Sequence, residues 1–232
     1  SLTAEILAQR FFGRRSLRFD VHGRATVDEG IDALGHVPLP PYIRRADRDE
    51  DRERYQTVYA RVKGSVAAPT AGLHFNDQLV RRIREAGIGW QTVTLHVGYG
   101  TFQPVRVELV EDHQVDPERF SIAIDAVDAM RAARAAGHRV VAVGTTTTRA
   151  LESSAADTGD VRAGAGATEL FMYPGHQFRA IDGLLTNFHL PKSSLLMLVA
   201  AFAGVDLTMA AYRDAVVRGF HFYSYGDAML IL

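Results

Sequence analysis

Three of the four residues in Pro38-Leu39-Pro40-Pro41 are prolines, so neither a helix nor a sheet ladder can run through them. Each proline fixes φ and removes an N–H, which leaves an extended, stiff connection. The chain therefore divides into a short part, 1–35, and a long part, 36–232. In the short part, Leu2–Ala8 and Ser16–Asp20 alternate as antiparallel strands around a turn at Phe12-Gly13-Arg14. A helix over Val27–Leu34 follows, with Gly35 as its C-terminal cap.

The long part alternates helix and strand patterns. The mixed charges of Asp47–Arg54 suggest an exposed loop entering a helix that runs through Tyr59. Asn76 can cap a helix whose apolar face uses Leu79 and Ile83 and which stops at Gly87. Strands are expected over Gly89–Val97, Val105–Val110 and Phe120–Ile124, then an alanine-rich helix from Asp125 to Gly137. Arg139–Val143 suits a buried parallel strand, and Thr145–Ala155 a helix. Strands Glu169–Tyr173 and Leu184–Phe188, helices Ser193–Phe202 and Leu207–Val217, and a strand Phe220–Tyr225 complete the pattern. This rhythm predicts a layered α/β domain with a largely parallel sheet.

Composition excludes several chemistries. With no cysteine among 232 residues, disulfides and thiolate metal sites are ruled out. No apolar run has membrane-spanning length and no signal peptide opens the chain, so no membrane partner and a cytoplasmic location are expected. A net charge of −1 leaves nucleic-acid binding to local patches. Arg81, Arg82 and Arg84 form one candidate, Arg10, Arg14, Arg15 and Arg18 a second, and Arg44, Arg45 and Arg48 a third; each is equally readable as a solvated face. The chain opens on serine inside a strand pattern, as a fragment would, and a monomer is expected.

Four segments place polar groups beside glycine inside apolar runs, where they are costly to bury without partners. Gly64-Ser65-Val66-Ala67-Ala68-Pro69-Thr70-Ala71-Gly72-Leu73-His74-Phe75 is a small-residue turn ending on a histidine. Leu95-His96-Val97-Gly98-Tyr99-Gly100-Thr101-Phe102 sets a histidine and two glycines at a strand end. Thr186-Asn187-Phe188-His189-Leu190-Pro191 and Ser224-Tyr225-Gly226-Asp227 add an amide, an imidazole, hydroxyls and a carboxylate. Small residues let a ligand approach main-chain N–H groups, making Thr70, Gly72, Gly98 and Gly100 candidates for binding.

A fifth segment, Val140–Arg149, is a buried strand ending at Gly144 followed by Thr145, Thr146, Thr147 and Thr148 at a helix start. Hydroxyls and free helix amides suit a carboxylate, ribose or phosphate. Arg149 and Glu152 stand i, i+3 and can pair on that helix. The nine histidines include no H-E-x-x-H, so no metal is expected. His74, His96 and His189 suit acid–base work, although each alone equally suits a structural role. G-x-S-x-G, the Walker pattern and G-x-G-x-x-G are all absent.

These motifs resemble the S-adenosylmethionine:tRNA ribosyltransferase-isomerases of queuosine biosynthesis. The resemblance lies in Pro38–Ile43, Tyr55–Ala60, Ala67–Phe75, Leu95–Phe102, Ala142–Glu152, Thr186–Pro191 and Ser224–Leu230, in the family's order. Residues 1–35 resemble the end of that family's small β-barrel domain, which implies a barrel remnant before a catalytic domain at 36–232. The implied reaction moves the ribosyl part of S-adenosylmethionine onto 7-aminomethyl-7-deazaguanine at the tRNA wobble position. Epoxyqueuosine forms, and adenine and methionine are released. S-adenosylmethionine is then a co-substrate, tRNA the partner, and no cofactor is implied.

The resemblance implies proton transfer by His74, His96 and His189, with Asp227 or Glu152 as a carboxylate facing the sulfonium. Thr145, Thr146, Thr147 and Arg149 would hold the methionine or ribose, Asn187 would contact a base edge, and Tyr225 would stack on a base. Two departures stand out. Asp116 occupies a position where the family usually has histidine, and Phe220-His221 one where it has Tyr-Arg. A non-catalytic tRNA- or nucleotide-binding relative, or one acting on a small-molecule acceptor, are the alternatives.

Overall fold

Side-chain caps at Thr26, Asn76 and Ser193 fix three of the helix starts. The computed structural model describes residues 1–9, 15–23, 26–40, 42–98 and 104–232. Helix α1 (Val27–Leu34) begins with a capping box in which Thr26 and Glu29 satisfy each other's backbone N–H groups. Helix α2 (Asp49–Arg54) stops at Tyr55, short of the expected Tyr59. Helix α3 (Asp77–Glu85) starts where Asn76 Oδ1 accepts from Leu79 N at 2.8 Å. Helix α4 (Ile124–Ala135) is flanked by Ala123, and Asp125 lies inside its first turn, not at its cap. Helices α5 (Thr145–Ala155), α6 (Ser194–Ala203) and α7 (Val205–Val217) complete the set.

Strands β1 (Leu2–Gln9) and β2 (Arg15–Val21) form an antiparallel pair beside α1. Two strands close no barrel, so residues 1–35 give the expected barrel remnant no support. The expected turn at 12–14 lies outside the described residues. Strands β3 (Val93–His96), β4 (Glu118–Ile122) and β6 (Gly164–Thr168) form one antiparallel sheet in the order β3-β4-β6. The second sheet, β5-β7-β8, joins β5 (Val141–Val143) parallel to β7 (Gly183–Asn187) and β7 antiparallel to β8 (Ala228–Ile231).

The α/β class holds, but the largely parallel sheet does not: β5–β7 is the sole parallel pair among the described residues. Parallel neighbours need a crossover, and α5 lies on the connection between β5 and β7. Elsewhere the chain reverses through irregular segments. The expected strands at 105–110, 169–173 and 220–225 belong to no sheet. Phe220 and Phe222 instead pack around Phe188 at 5.7 and 5.0 Å, so these rings find aromatic contact without a ladder.

Helix α5 is the centre of the fold, touching β3 and β6 of one sheet and β5 and β7 of the other. The core around it comprises Phe120 and Ile122 of β4, Val127 of α4, Leu151 of α5, Leu184 of β7 and Leu198 of α6. Sandwiched between two sheets, α5 buries Arg149 and Glu152 as well as its apolar residues.

Candidate functional site

The carboxyl ends of β5 and β7 lie side by side and open onto a cavity of about 330 Å³. Ligands in open α/β folds collect at such strand ends, and the volume suits a small ligand. Beyond β5, Gly144 takes φ +91° and its N–H donates to Leu185 O at 2.8 Å. The chain then enters α5, which has no side-chain cap, and Thr145 and Thr146 line the cavity. Unpaired N–H groups and the helix dipole favour an anionic or oxygen-rich group there. The second wall is Thr186–Pro191, the third Ala67–Ala71, and the fourth Tyr42, Tyr223 and Ser224.

Asn187 knits these walls together from a position only 2% exposed. Its Oδ1 accepts from the Thr70 hydroxyl at 3.3 Å. Its Nδ2 meets His74 Nε2 at 2.9 Å and donates to Tyr223 O at 3.1 Å. His74 closes the short 3-10 turn Thr70–His74. Burial pushes its pKa below the usual histidine value, while the field of Asp227 pulls the other way.

His189 lines the cavity, with Nε2 2.8 Å from the Thr186 hydroxyl. Its backbone N–H donates to Tyr212 Oη on α7 at 2.8 Å. Desolvation pushes its pKa down to about 4, so the ring is neutral near pH 7. Both imidazoles at this site are therefore uncharged.

The structure thus gathers Thr70, Thr145, Thr146, Asn187 and His189 on one cavity, with His74 bonded to its wall. Other expected residues lie elsewhere. Arg149 does not pair with Glu152: its Nη1 binds Glu118 at 2.8 Å and its Nε donates to Leu170 O at 2.9 Å. The Glu152 carboxylate accepts from Arg179 N at 2.9 Å and Ala180 N at 2.9 Å. Both charges sit inside the protein because α5 is enclosed on two sides, and their partners make them structural ties. Thr147, in the same first turn, does not line the cavity.

Gly72 is required by packing, since a Cβ there would overlap the Tyr59 hydroxyl and stand 2.6 Å from Thr57 Cγ2. His96 sits in β3 opposite Arg119, its ring against Gly64, and it does not line the cavity; nor does Gly98. Gly100 lies outside the described residues. Tyr225 turns away toward α2, its hydroxyl 3.4 Å from Asp51 Oδ1 and its ring 6.0 Å from Tyr55. Asp227 accepts from His221 N at 2.7 Å and acts on His74 only through its field.

Sequence reasoning named Ser224 only within a hydroxyl-bearing segment and missed Tyr42 and Tyr223. Tyr42 Oη and Ser224 Oγ share a hydrogen bond, and the Tyr42 and Tyr223 rings lie 4.9 Å apart. Tyr223 holds φ +76° without being glycine, a strained conformation that clusters at functional sites. Its N–H donates to Phe188 O at 2.9 Å and its carbonyl accepts from Asn187, which together hold it there. The signal available was the hydroxyl-rich Tyr223-Ser224-Tyr225 run, of which the resemblance pointed to Tyr225.

A second cavity, about 460 Å³, lies across the shared wall Ala67-Ala68-Pro69 and carries Arg52, Arg61 and Lys63 on its lining. Among the described residues no group of three or more histidines and carboxylates is placed to hold a metal ion. No single helix among them is long and apolar enough to cross a membrane.

A family model described as "Queuosine biosynthesis protein" matches residues 2–231. Three S-adenosylmethionine:tRNA ribosyltransferase-isomerases, from Halothermothrix orenii, Geobacter metallireducens and Trichlorobacter lovleyi, are 56, 56 and 51% identical to the chain. The matches cover 95, 88 and 100% of this chain, and 64, 60 and 67% of those proteins. The chain therefore spans less than two thirds of the length of the first two. The crystal structure of S-adenosylmethionine tRNA ribosyltransferase from Thermotoga maritima is similar with a TM-score of 0.58 and 35% identity, covering 100% of this chain and 62% of that one. With a single family model matched almost from end to end, the chain belongs to the queuosine biosynthesis protein family.

Proposed function

We propose that the chain carries the catalytic domain of a transferase that moves the ribosyl moiety of S-adenosylmethionine onto 7-aminomethyl-7-deazaguanine in tRNA and isomerises it. The observation that carries this reading is the convergence of Thr70, Thr145, Asn187 and His189 on one cavity, with His74 bonded to Asn187 of its wall, in a chain 51–56% identical to proteins named for that activity. The free amides at the start of α5, with Thr145 and Thr146, bind the carboxylate or ribose hydroxyls of S-adenosylmethionine. The reaction then needs a base for the proton on the carbon beside the sulfonium, and a donor for the departing adenine. His189, neutral and on the cavity wall, is the base in this reading. The cavity across the Ala67–Pro69 wall, with its three basic residues, takes the tRNA side of the acceptor. No cofactor takes part, and the protein acts as a monomer in the cytoplasm.

The test is incubation with S-adenosylmethionine and tRNA bearing the aminomethyl base, with adenine release followed by chromatography. Adenine and ribosylated tRNA in equal amounts support the transferase. A non-catalytic relative, favoured by Phe220-His221, binds S-adenosylmethionine or tRNA without releasing adenine.

A further inference from the structure

We propose that Asn187 locks His74 in the neutral tautomer with its proton on Nδ1, so that this ring works as a hydrogen-bond donor and not as a base. The role assigned to the donor rests on the transferase reading above; the tautomer itself does not.

One partner of the Asn187 amide has unambiguous chemistry. Tyr223 O can only accept, so the group 3.1 Å from it must be the amide nitrogen of Asn187. The same nitrogen faces His74 Nε2 at 2.9 Å with its second hydrogen. Nε2 must therefore present a lone pair. The reverse amide orientation would set two acceptor oxygens against each other in a site 2% exposed. The Thr70 hydroxyl on Oδ1 at 3.3 Å agrees with the first orientation.

With Nε2 unprotonated, the ring's hydrogen is on Nδ1. Charging the ring would add a hydrogen to Nε2 and point donor at donor. Burial works in the same direction, and Asp227 is the charged group whose field opposes it. His74 Nδ1 has no hydrogen-bond partner among the described residues, so its hydrogen is not committed within the chain. Proton abstraction needs a lone pair aimed at substrate, and the only one on this ring is committed to Asn187. A neutral N–H donor matches the unprotonated ring nitrogens of a departing purine. Asn187 is thus a positioning residue, and its amide hydrogens are unavailable for contacting a base edge.

Long-range ¹H–¹⁵N correlation spectra of the full, ¹⁵N-labelled chain read the protonated ring nitrogen directly. The wild type is expected to show His74 as Nδ1–H at neutral pH. Asn187→Asp puts a carboxylate against Nε2 and should move the proton there. In the adenine-release assay, His74→Asn, whose amide nitrogen can replace the Nδ1 donor, should retain at least tenfold more activity than His74→Gln, which replaces Nε2. An Nε2–H signal in the wild type overturns the proposal whether or not the chain turns over. Equal activity of the two substitutions, with the wild type active, overturns the donor role. An Nδ1–H signal without any wild-type turnover sinks the transferase reading and leaves the tautomer assignment standing.

Discussion

The Asn187 amide holds the His74 ring across 113 positions of sequence, with 2.9 Å between Nδ2 and Nε2. The same side chain ties the Thr70 hydroxyl and the Tyr223 carbonyl, so three distant segments share one buried polar knot. Buried networks of this kind specify a unique arrangement when every member is satisfied. Removing the amide leaves several groups unpaired at once. Asn187→Leu, of similar size, should cost at least about 2 kcal/mol in urea unfolding. A loss within error would mean that the knot does not hold the walls together.

Acid stability should be governed in part by His189. Its folded pKa is about 4 against an ordinary 6.5. Between those values the unfolded chain binds a proton that the folded chain does not, so stability falls as pH drops through this window. Above it the residue contributes no pH dependence. The full effect is on the order of 3 kcal/mol, and His74, shifted in the same direction, adds to it. Urea midpoints of His189→Gln measured from pH 7 to 4 should fall less steeply than those of the wild type.

Arg149 and Glu118 form an ion pair whose side chains are 8 and 3% exposed. Arg149→Met removes the cation paired with the buried Glu118 carboxylate and should cost about 3–5 kcal/mol. The double substitution Arg149→Met with Glu118→Leu should recover a large part of that loss. Denaturant unfolding of both variants distinguishes this structural tie from a ligand contact, because a ligand contact would leave stability unchanged.

Gly72→Ala should be destabilising by about 1–3 kcal/mol, because the added methyl has no room beside Thr57 and Tyr59. Adding Tyr59→Phe removes the overlapping oxygen and should restore part of the loss. Thermal unfolding of the single and double variants checks the coupling. Independent, additive losses would show that the glycine is needed for another reason.

Much of the secondary structure was legible because its causes are local. Asn76 starts α3 through a contact three residues away, and the Gly144 turn into α5 follows directly from the run Val143-Gly144-Thr145. The strand Leu184–Phe188 was expected within one residue at each end. The β-propensity of Phe220 and Phe222 misled, since their rings pack against Phe188 with no strand partner. The site was only partly legible: spacing marked Thr70, His74, Asn187 and His189, but could not say that Tyr225 points to Asp51 while Tyr223 lines the cavity.

Sequence alone determined the starts of helices with a local cap, the chemical types available to a site, and the family they resemble. These follow from side chains within a few residues of one another. Tertiary structure decided which strands run parallel, that α5 is enclosed by two sheets, and that Arg149 reaches Glu118 rather than Glu152. It also decided that one asparagine sets the hydrogen-bonding sense of a histidine far away in the chain. Such contacts come from long loops closing, and a closed loop leaves no periodic trace in the residues it brings together.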